Sequence, residues 1–539
     1  MKLIMSELFY KKSFYILLIV IGSLPIFPQL VNGWNLAPHF ADDAYYYLII
    51  ARNFVELGFF TFDGINETNG FHPLWLHILV IMYKVIGTDS SLSLQIFSVK
   101  LIESLFYLGA IILSVIFAFR LHRQNHPLKY LWFGLFITLL NPYYNPLFFQ
   151  GMETTLTAFF LIAVLQAVIT NHILIFTVLS PLLFLSRLDT LIFVIFPCWL
   201  LLMSRHKLRN ERIILTVPLA LTVLMYIFIN YLHFGYLKPI SGILKSSFPW
   251  VTFHFSYLLD PILYAFKTHD YFSIFIFPNI VILLLLLVSS VFMLRWKHRG
   301  AETPLIQILI IISALLILNL LLFQKWNKEI ESWYLVLPSV IIMSLCIYSL
   351  SGLFNNKNYL KFAFLLIVLS CTHLYIKKTF ETPNHGPNLL IEDIINFIKA
   401  EIPENDVLAA TDGGIIAFFA ERRYVNLDGL VNSYDYQKFI KDKKLLDFLK
   451  SNNVSYLLVL VWAGKPPYQL RDEEYMYQHC VNKKALYSNT YELEYYVYSY
   501  MYNVFSEKIK LSSEQEVYRS PIFQNGLNDA RVLIFDLRE

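Results

Sequence analysis

Long uninterrupted apolar runs dominate the first 376 residues. The runs at 14–31, 91–119, 212–232, 272–294, 303–323, 332–351 and 359–376 each hold about enough apolar residues to cross ~30 Å of hydrocarbon as a helix. Shorter runs at 129–141, 154–170, 172–186 and 188–203 bring the expectation to about 11 transmembrane helices. The stretch 154–203 reads either as three tilted spans or as one re-entrant pair. The run at 71–86 is short for a crossing and carries His72, His77 and Lys84. It is read as lying on the outer surface, because that reading puts about twice as many Lys and Arg on the inner side as on the outer, and a crossing there would reverse the balance. Lys2, Lys11 and Lys12 precede the first run, and no small-residue cleavage pattern follows it, which predicts an uncleaved first span.

After about residue 377 the pattern changes. Short apolar runs such as "DVLAA" (406–410), "NNVSYLLVLVW" (452–462) and "RVLIFDLRE" (531–539) alternate with polar helical stretches, the rhythm of a small α/β domain. Two domains are therefore expected: a membrane module at 1–376 with a large outer loop at 32–90, and an extracytoplasmic α/β domain at 377–539. "TDGG" at 411–414 predicts a strand-to-helix turn without the spacing of a dinucleotide fingerprint.

Composition supports this division. Apolar residues make up 57% of the chain and charged residues 15%, against roughly 25% charged in an average soluble domain. The four cysteines have neither disulfide-framework nor zinc spacing. The net charge of +4 comes without a basic patch dense enough for nucleic acid.

The polar chemistry concentrates in the outer loop, "HFADDAYYYLIIARNFVELGFFTFDGINETNGFHPLW" (39–75). Asp42 and Asp43 open a helical stretch at 44–57, where carboxylates are stabilised by the helix dipole. Capping explains one of them; the adjacent second carboxylate suggests chemistry. Tyr45, Tyr46 and Tyr47 spread around the cylinder, so not all three are expected to be buried. Arg52 and Glu56 are i,i+4 neighbours. His72 precedes a proline and is held extended; it reads as a structural hydrogen-bonding group or as a donor to an anion. Arg187 and Asp189 fall at an expected outer membrane boundary, where an internal ion pair and a functional role compete. Glu153 reads as a helix cap, a site-lining carboxylate or a metal ligand. Trp333 and Tyr334 read as an interfacial anchor.

The segment "DDAYYYLIIARN…TFDGINETNGFHPLW" resembles the first periplasmic loop of bacterial GT-C glycosyltransferases of the arabinofuranosyl-, mannosyl- and aminoarabinose-transferase type. Echoes at "GMETTLTAFFL" (151–161), "SRLDTL" (186–191), "YLHFGYLKPISGILK" (231–245) and "YVNLDGLVNS" (424–433) spread the resemblance over most of the chain. It implies a multi-pass enzyme of the bacterial inner membrane that uses a polyprenyl-phosphate sugar donor and a glycan, lipid or protein acceptor. It further implies an inverting transfer in which a carboxylate of this loop is the general base, Asp42 in preference to Asp43. A carboxylate within reach of the hydroxyl suits that role, and the leaving phosphate needs cationic or N–H donors. Lys238, Lys245, Arg187 and Lys100 are the candidates for the phosphate, Lys100 having Glu103 at i+3 as an alternative partner. Tyr46, Arg52, His72, Glu153 and Asp189 complete the expected substrate-binding set. The resemblance leaves the cofactor open: some relatives in the wider superfamily use a divalent metal, for which Asp43 and Glu153 are the candidate ligands here. A transporter or flippase is the competing class; it predicts charges along a central path, whereas an enzyme should gather Asp42, Asp43, Glu153, Arg187 and the 233–245 segment around one cavity. A scaffold that uses the tail for protein contacts is a third reading.

Overall fold

The computed structural model describes residues 12–32, 40–124, 126, 128–140, 145–251, 303–323, 325, 334, 336–351, 385–462, 480–525 and 528–538. The expected spans at 272–294 and 359–376, and Trp333, lie outside the described residues. The other apolar runs are helices: α1 (Lys12–Ser23), α2 (Ile26–Asn32), α3 (Asp42–Leu57), α4 (Pro73–Ile86), α5 (Leu92–Arg123), α6 (Lys129–Leu140), α7 (Thr154–Ile169), α8 (Ile173–Ser186), α9 (Phe196–Arg205), α10 (Arg209–Phe234), α11 (Ile240–Lys245), α12 (Thr303–Leu322) and α13 (Val336–Ser351). The 154–203 stretch holds separate helical segments, with a π-helical turn at Leu191–Ile195 leading into α9.

Three described segments, Ser13–Val31, Leu92–Arg123 and Arg209–Phe234, are long and apolar enough to cross a membrane. Their surroundings explain why they need lipid. Of α10 only Leu215 and Asn230 are buried, while Leu224 and Phe228 are about 60% exposed, at 61% and 60%. A continuous apolar face of this size is not stable against water. The chain is a helical membrane protein with an α/β unit at its C-terminal end.

That unit begins with α14 (His385–Glu401). Three parallel strands follow: β1 (Val407–Ala410) lies between β2 (Tyr424–Asn426) and β3 (Val454–Trp462). Helix α15 (Gly414–Ala420) links β1 to β2, and α16 (Tyr434–Lys441) with α17 (Leu445–Ser451) links β2 to β3, as parallel pairing requires. The long strand Asn528–Asp536 then pairs antiparallel with β3. Because strand side chains alternate, the sheet has two different faces. Val407, Ala409, Leu457, Val459, Leu533 and Phe535 pack into a core of the unit's own. Leu408, Ala410, Tyr456, Leu458 and Ile534 join the large core that continues through α14 and α15 into the membrane helices. The tail is therefore docked through one sheet face, not tethered beside the membrane module.

The docking depends on close backbone approach. Tyr45, Tyr46 and Tyr47 are all buried, against the expectation, because the tail and α7 cover α3 on more than one side; Tyr45 lies against the rings of Phe418 and Phe419 of α15, at 5.1 and 5.5 Å between centroids. A Cβ at Gly70 would fall 1.9 Å from the Leu430 carbonyl oxygen, and one at Gly414 2.4 Å from that of Asp42. Gly414→Ala should therefore cost stability, although alanine is the better helix former by about 1 kcal/mol. The obstruction is backbone, which cannot swing aside, and overpacking of this kind costs about 1–3 kcal/mol. A lowered melting temperature with earlier protease release of the tail is the expected result; an unchanged melting temperature would show that the seam can open without cost.

Candidate active site

Helix α3 presents two faces at its N-terminus. Asp42 points to the tail: its Oδ1 accepts from the N–H of Ile415 at 2.8 Å and its Oδ2 from the N–H of Gly414 at 3.1 Å. The carboxylate thus caps α15 from another part of the chain, satisfying amide donors that would otherwise be orphaned. Burial, reinforced by Asp412, pushes its pKa up to about 7 in spite of these two bonds. An acid whose folded-state pKa lies above its unfolded value binds more protons when folded, so stability should fall as pH rises from about 4 to about 7. Asp42→Asn, which stays neutral, should remove that component. Melting curves of both proteins across this window give the test, and parallel curves would contradict the assignment.

Asp43, one position on, lines a cavity of about 290 Å3, close to the low end of small-ligand sites. The cavity gathers Asp43, Tyr46, Tyr47 and Ile50 from α3, His72, Glu153, Arg187 and Asp189, the 238–246 segment, and Leu430 and Val431 of the tail. Asp43 Oδ2 is 3.0 Å from Lys245 Nζ. Lys245 ends α11, whose start is pinned by the Ile240 N–H donating to Asn69 Oδ1 at 2.9 Å. Asn69 in turn donates to Asn230 of α10, also at 2.9 Å. Tyr434 of the tail donates to the Lys238 carbonyl at 2.7 Å. Four separated segments thus hold one lysine.

The second carboxylate, Glu153, is buried at the start of α7. Tyr47 donates to its Oε2 at 3.4 Å, while His72 Nε2 is 3.5 Å and Arg187 Nη1 4.0 Å from its Oε1. Burial lowers the His72 pKa against the opposing pull of Glu153, so this imidazole is neutral near pH 7. Arg187 is buried, its Nε 3.1 Å from Asp189 Oδ1 and its guanidinium 4.7 Å from the centre of the Tyr334 ring. Burial opposes its charge, but Asp189 and Glu153 outweigh that and push its pKa up. Its Nη1 makes no hydrogen bond, which leaves a buried charged donor at the cavity wall.

The structure thus assembles Asp43, Tyr46, His72, Glu153, Arg187, Asp189, Lys238 and Lys245 around one cavity. Three expected members are elsewhere. Asp42, preferred from the sequence as the base, is turned away and already bonded. Arg52 faces a separate hollow with Asp63, Arg422 and Arg423, because it lies on a different stripe of α3 from Asp43, Tyr46, Tyr47 and Ile50. Lys100 is buried, with its Nζ bonded to the carbonyl of Phe149 and 4.5 Å from the centre of the Phe40 ring. It braces the segment before α7 and does not reach the cavity.

A resident divalent cation does not fit these residues. Asp43 already faces Lys245, and Glu153 faces Arg187, so a further cation would meet two fixed positive charges. No group of three or more His, Cys, Asp or Glu with metal-binding placement occurs among the described residues.

Sequence reasoning named no residue of the tail in the site. Tyr46 donates to Asp428 Oδ2 at 2.9 Å, and Asn426 donates to the same oxygen at 2.9 Å. Asp428 Oδ1 accepts from the N–H of Leu430 at 2.8 Å, which fixes the 430–431 wall. The signal was present as the Asp-Gly turn in "YVNLDGLVNS" directly after a strand-like run, but its partner Tyr46 is 382 residues away.

A family model described as "Domain of unknown function (DUF8728)" matches residues 383–517, the docked α/β unit. No curated protein matches the chain. Among solved structures, the chain is similar to the crystal structure of ArnT from Cupriavidus metallidurans bound to undecaprenyl phosphate, with 11% sequence identity, coverage of 93% of this chain and 98% of that chain, and a TM-score of 0.49.

Proposed function

We propose that the chain is a membrane glycosyltransferase that moves a sugar from a polyprenyl-phosphate donor to an acceptor hydroxyl, with inversion, on the outer face of the bacterial inner membrane. The observation that carries this reading is a single cavity, at the seam between apolar helices and the tail, that holds a carboxylate beside separately anchored cations: Asp43 with Lys245, and Arg187 behind them. A transporter needs polar groups strung along a path, whereas these converge.

In the proposed reaction Asp43 accepts the proton of the acceptor hydroxyl. The freed oxygen forms a bond to the anomeric carbon from the side opposite the phosphate. The bond from that carbon to the phosphate oxygen breaks, and the lipid phosphate leaves with the electron pair. Lys245 and Arg187 offset the charge that grows on the leaving group, the kind of preorganised stabilisation that contributes most in a water-poor site. The incoming donor phosphate competes with Asp43 for Lys245, which releases the carboxylate to act as base as the donor seats. Glu153 acts through Arg187, His72 and Tyr47 as a positioning residue.

The test uses purified full-length protein in detergent with a radiolabelled polyprenyl-phosphate sugar and an envelope-glycan extract as acceptor. Label should move to the acceptor, and free polyprenyl phosphate should inhibit. Lipid-linked sugar that crosses a vesicle membrane with its sugar–phosphate bond intact would overturn the reading in favour of a flippase.

A further inference from the structure

The hollow that contains Arg52 is unused by the chemistry above. It measures about 280 Å3 and lies between the Ile49, Arg52 and Asn53 stripe of α3, the 62–64 turn, and residues 417–424 of the tail. Three arginines from two parts of the molecule converge there: Arg52, Arg422 and Arg423. Two are partly committed. Arg423 donates from Nε to the Asp63 carbonyl at 2.8 Å. Arg422 Nη2 lies 3.4 Å from the carbonyls of Lys399 and Ile402 at the end of α14. Beyond those bonds, Arg422 Nε and Arg423 Nη2 are buried with no hydrogen-bond partner, and no hydrogen bond or ion pair to Arg52 occurs among the described residues.

The two acids that line the hollow, Asp63 and Glu421, do not neutralise this cluster. The Asp63 carboxylate is consumed by its own turn, accepting from the Thr61 hydroxyl, the N–H groups of Ile65 and Asn66, and the Asn66 side chain. Glu421 is exposed and lies 3.4 Å from Lys399 Nζ. Buried donors left unpaired are costly, and charged ones more so. Planar guanidinium groups match the oxygens of a phosphate in paired bonds.

We propose that this hollow is a second binding site, for a phosphate-class oxyanion held by Arg52, Arg422 and Arg423. The group arrives either as a free or soluble phosphate or as the headgroup of an anionic lipid. The site stands apart from the transferase reading and requires no turnover.

The test is arginine modification by phenylglyoxal on the full-length protein, read peptide by peptide by mass spectrometry. One arm adds inorganic phosphate or pyrophosphate in neutral detergent. A second compares nanodiscs of phosphatidylglycerol with nanodiscs of phosphatidylcholine. Protection of Arg52 and Arg422 by inorganic phosphate identifies a soluble phosphate, and protection by phosphatidylglycerol alone identifies a lipid headgroup. Arg52→Gln should weaken phosphate binding about tenfold, the loss of one charge-assisted bond, while Lys245→Met in the main cavity should leave it unchanged. Absence of protection in both arms, or equal protection by chloride at matched ionic strength, overturns the site. Phosphate binding by a protein that transfers no sugar would sink the transferase reading alone.

Discussion

Asp43→Asn should lower sugar transfer by about 10²–10⁴-fold, the usual contribution of a positioned general base, with the loss in kcat. The asparagine keeps the size of the side chain and removes only its ability to take a proton. Asp42→Asn should leave kcat within a few fold, because Asp42 is spent on the N–H groups of Gly414 and Ile415; its effect belongs to stability and pH dependence. The pair is the sharpest test of the site, since the two residues are adjacent and chemically identical. Steady-state rates with the lipid-linked donor, measured well below the melting temperature of each variant, give the answer. A large loss in Asp42→Asn beside an active Asp43→Asn would return the role of base to Asp42.

Arg187→Met should be the most destabilising single change at the cavity, at about 3–5 kcal/mol. Methionine fills most of the volume but leaves Glu153 buried with no guanidinium nearby, and removes the partner of Asp189. Burying an uncompensated carboxylate costs more than the lost attraction. Arg187→Lys should lie between, since an ammonium keeps the charge without the planar fork that spans Asp189 and faces Tyr334. The double variant Arg187→Met with Glu153→Gln should recover part of the loss, because two groups in one network are not additive. Thermal unfolding of the three variants tests this, and strict additivity would show that Glu153 and Arg187 do not sense each other.

The positions of most described helices were legible in the sequence because a membrane helix is a local object. It needs only an unbroken apolar run of sufficient length, and α5 and α10 follow from theirs within a few residues at either end. The α/β character of the tail was legible for the same reason, as alternating short apolar runs. Even the membership of the cavity was largely legible: Asp43, Glu153, Arg187 and Lys245 stand out as charges in otherwise apolar or loop sequence.

What the sequence could not decide was which of two neighbouring carboxylates faces the cavity. Adjacent residues on a helix point about 100° apart, so the choice depends on what each face meets, and that partner is 372 residues away at Gly414. The same holds for Arg52, placed with Asp43 by proximity in sequence and separated from it by the turn of α3. The docking of the tail was equally hidden. A sheet whose one face closes its own core while the other closes that of the membrane module reads, strand by strand, like any buried sheet. Local pattern determined the elements of this protein. Apart from the local pair Arg187–Asp189, tertiary packing determined which of their charged groups meet, because the other pairs join segments with no sequence signal in common.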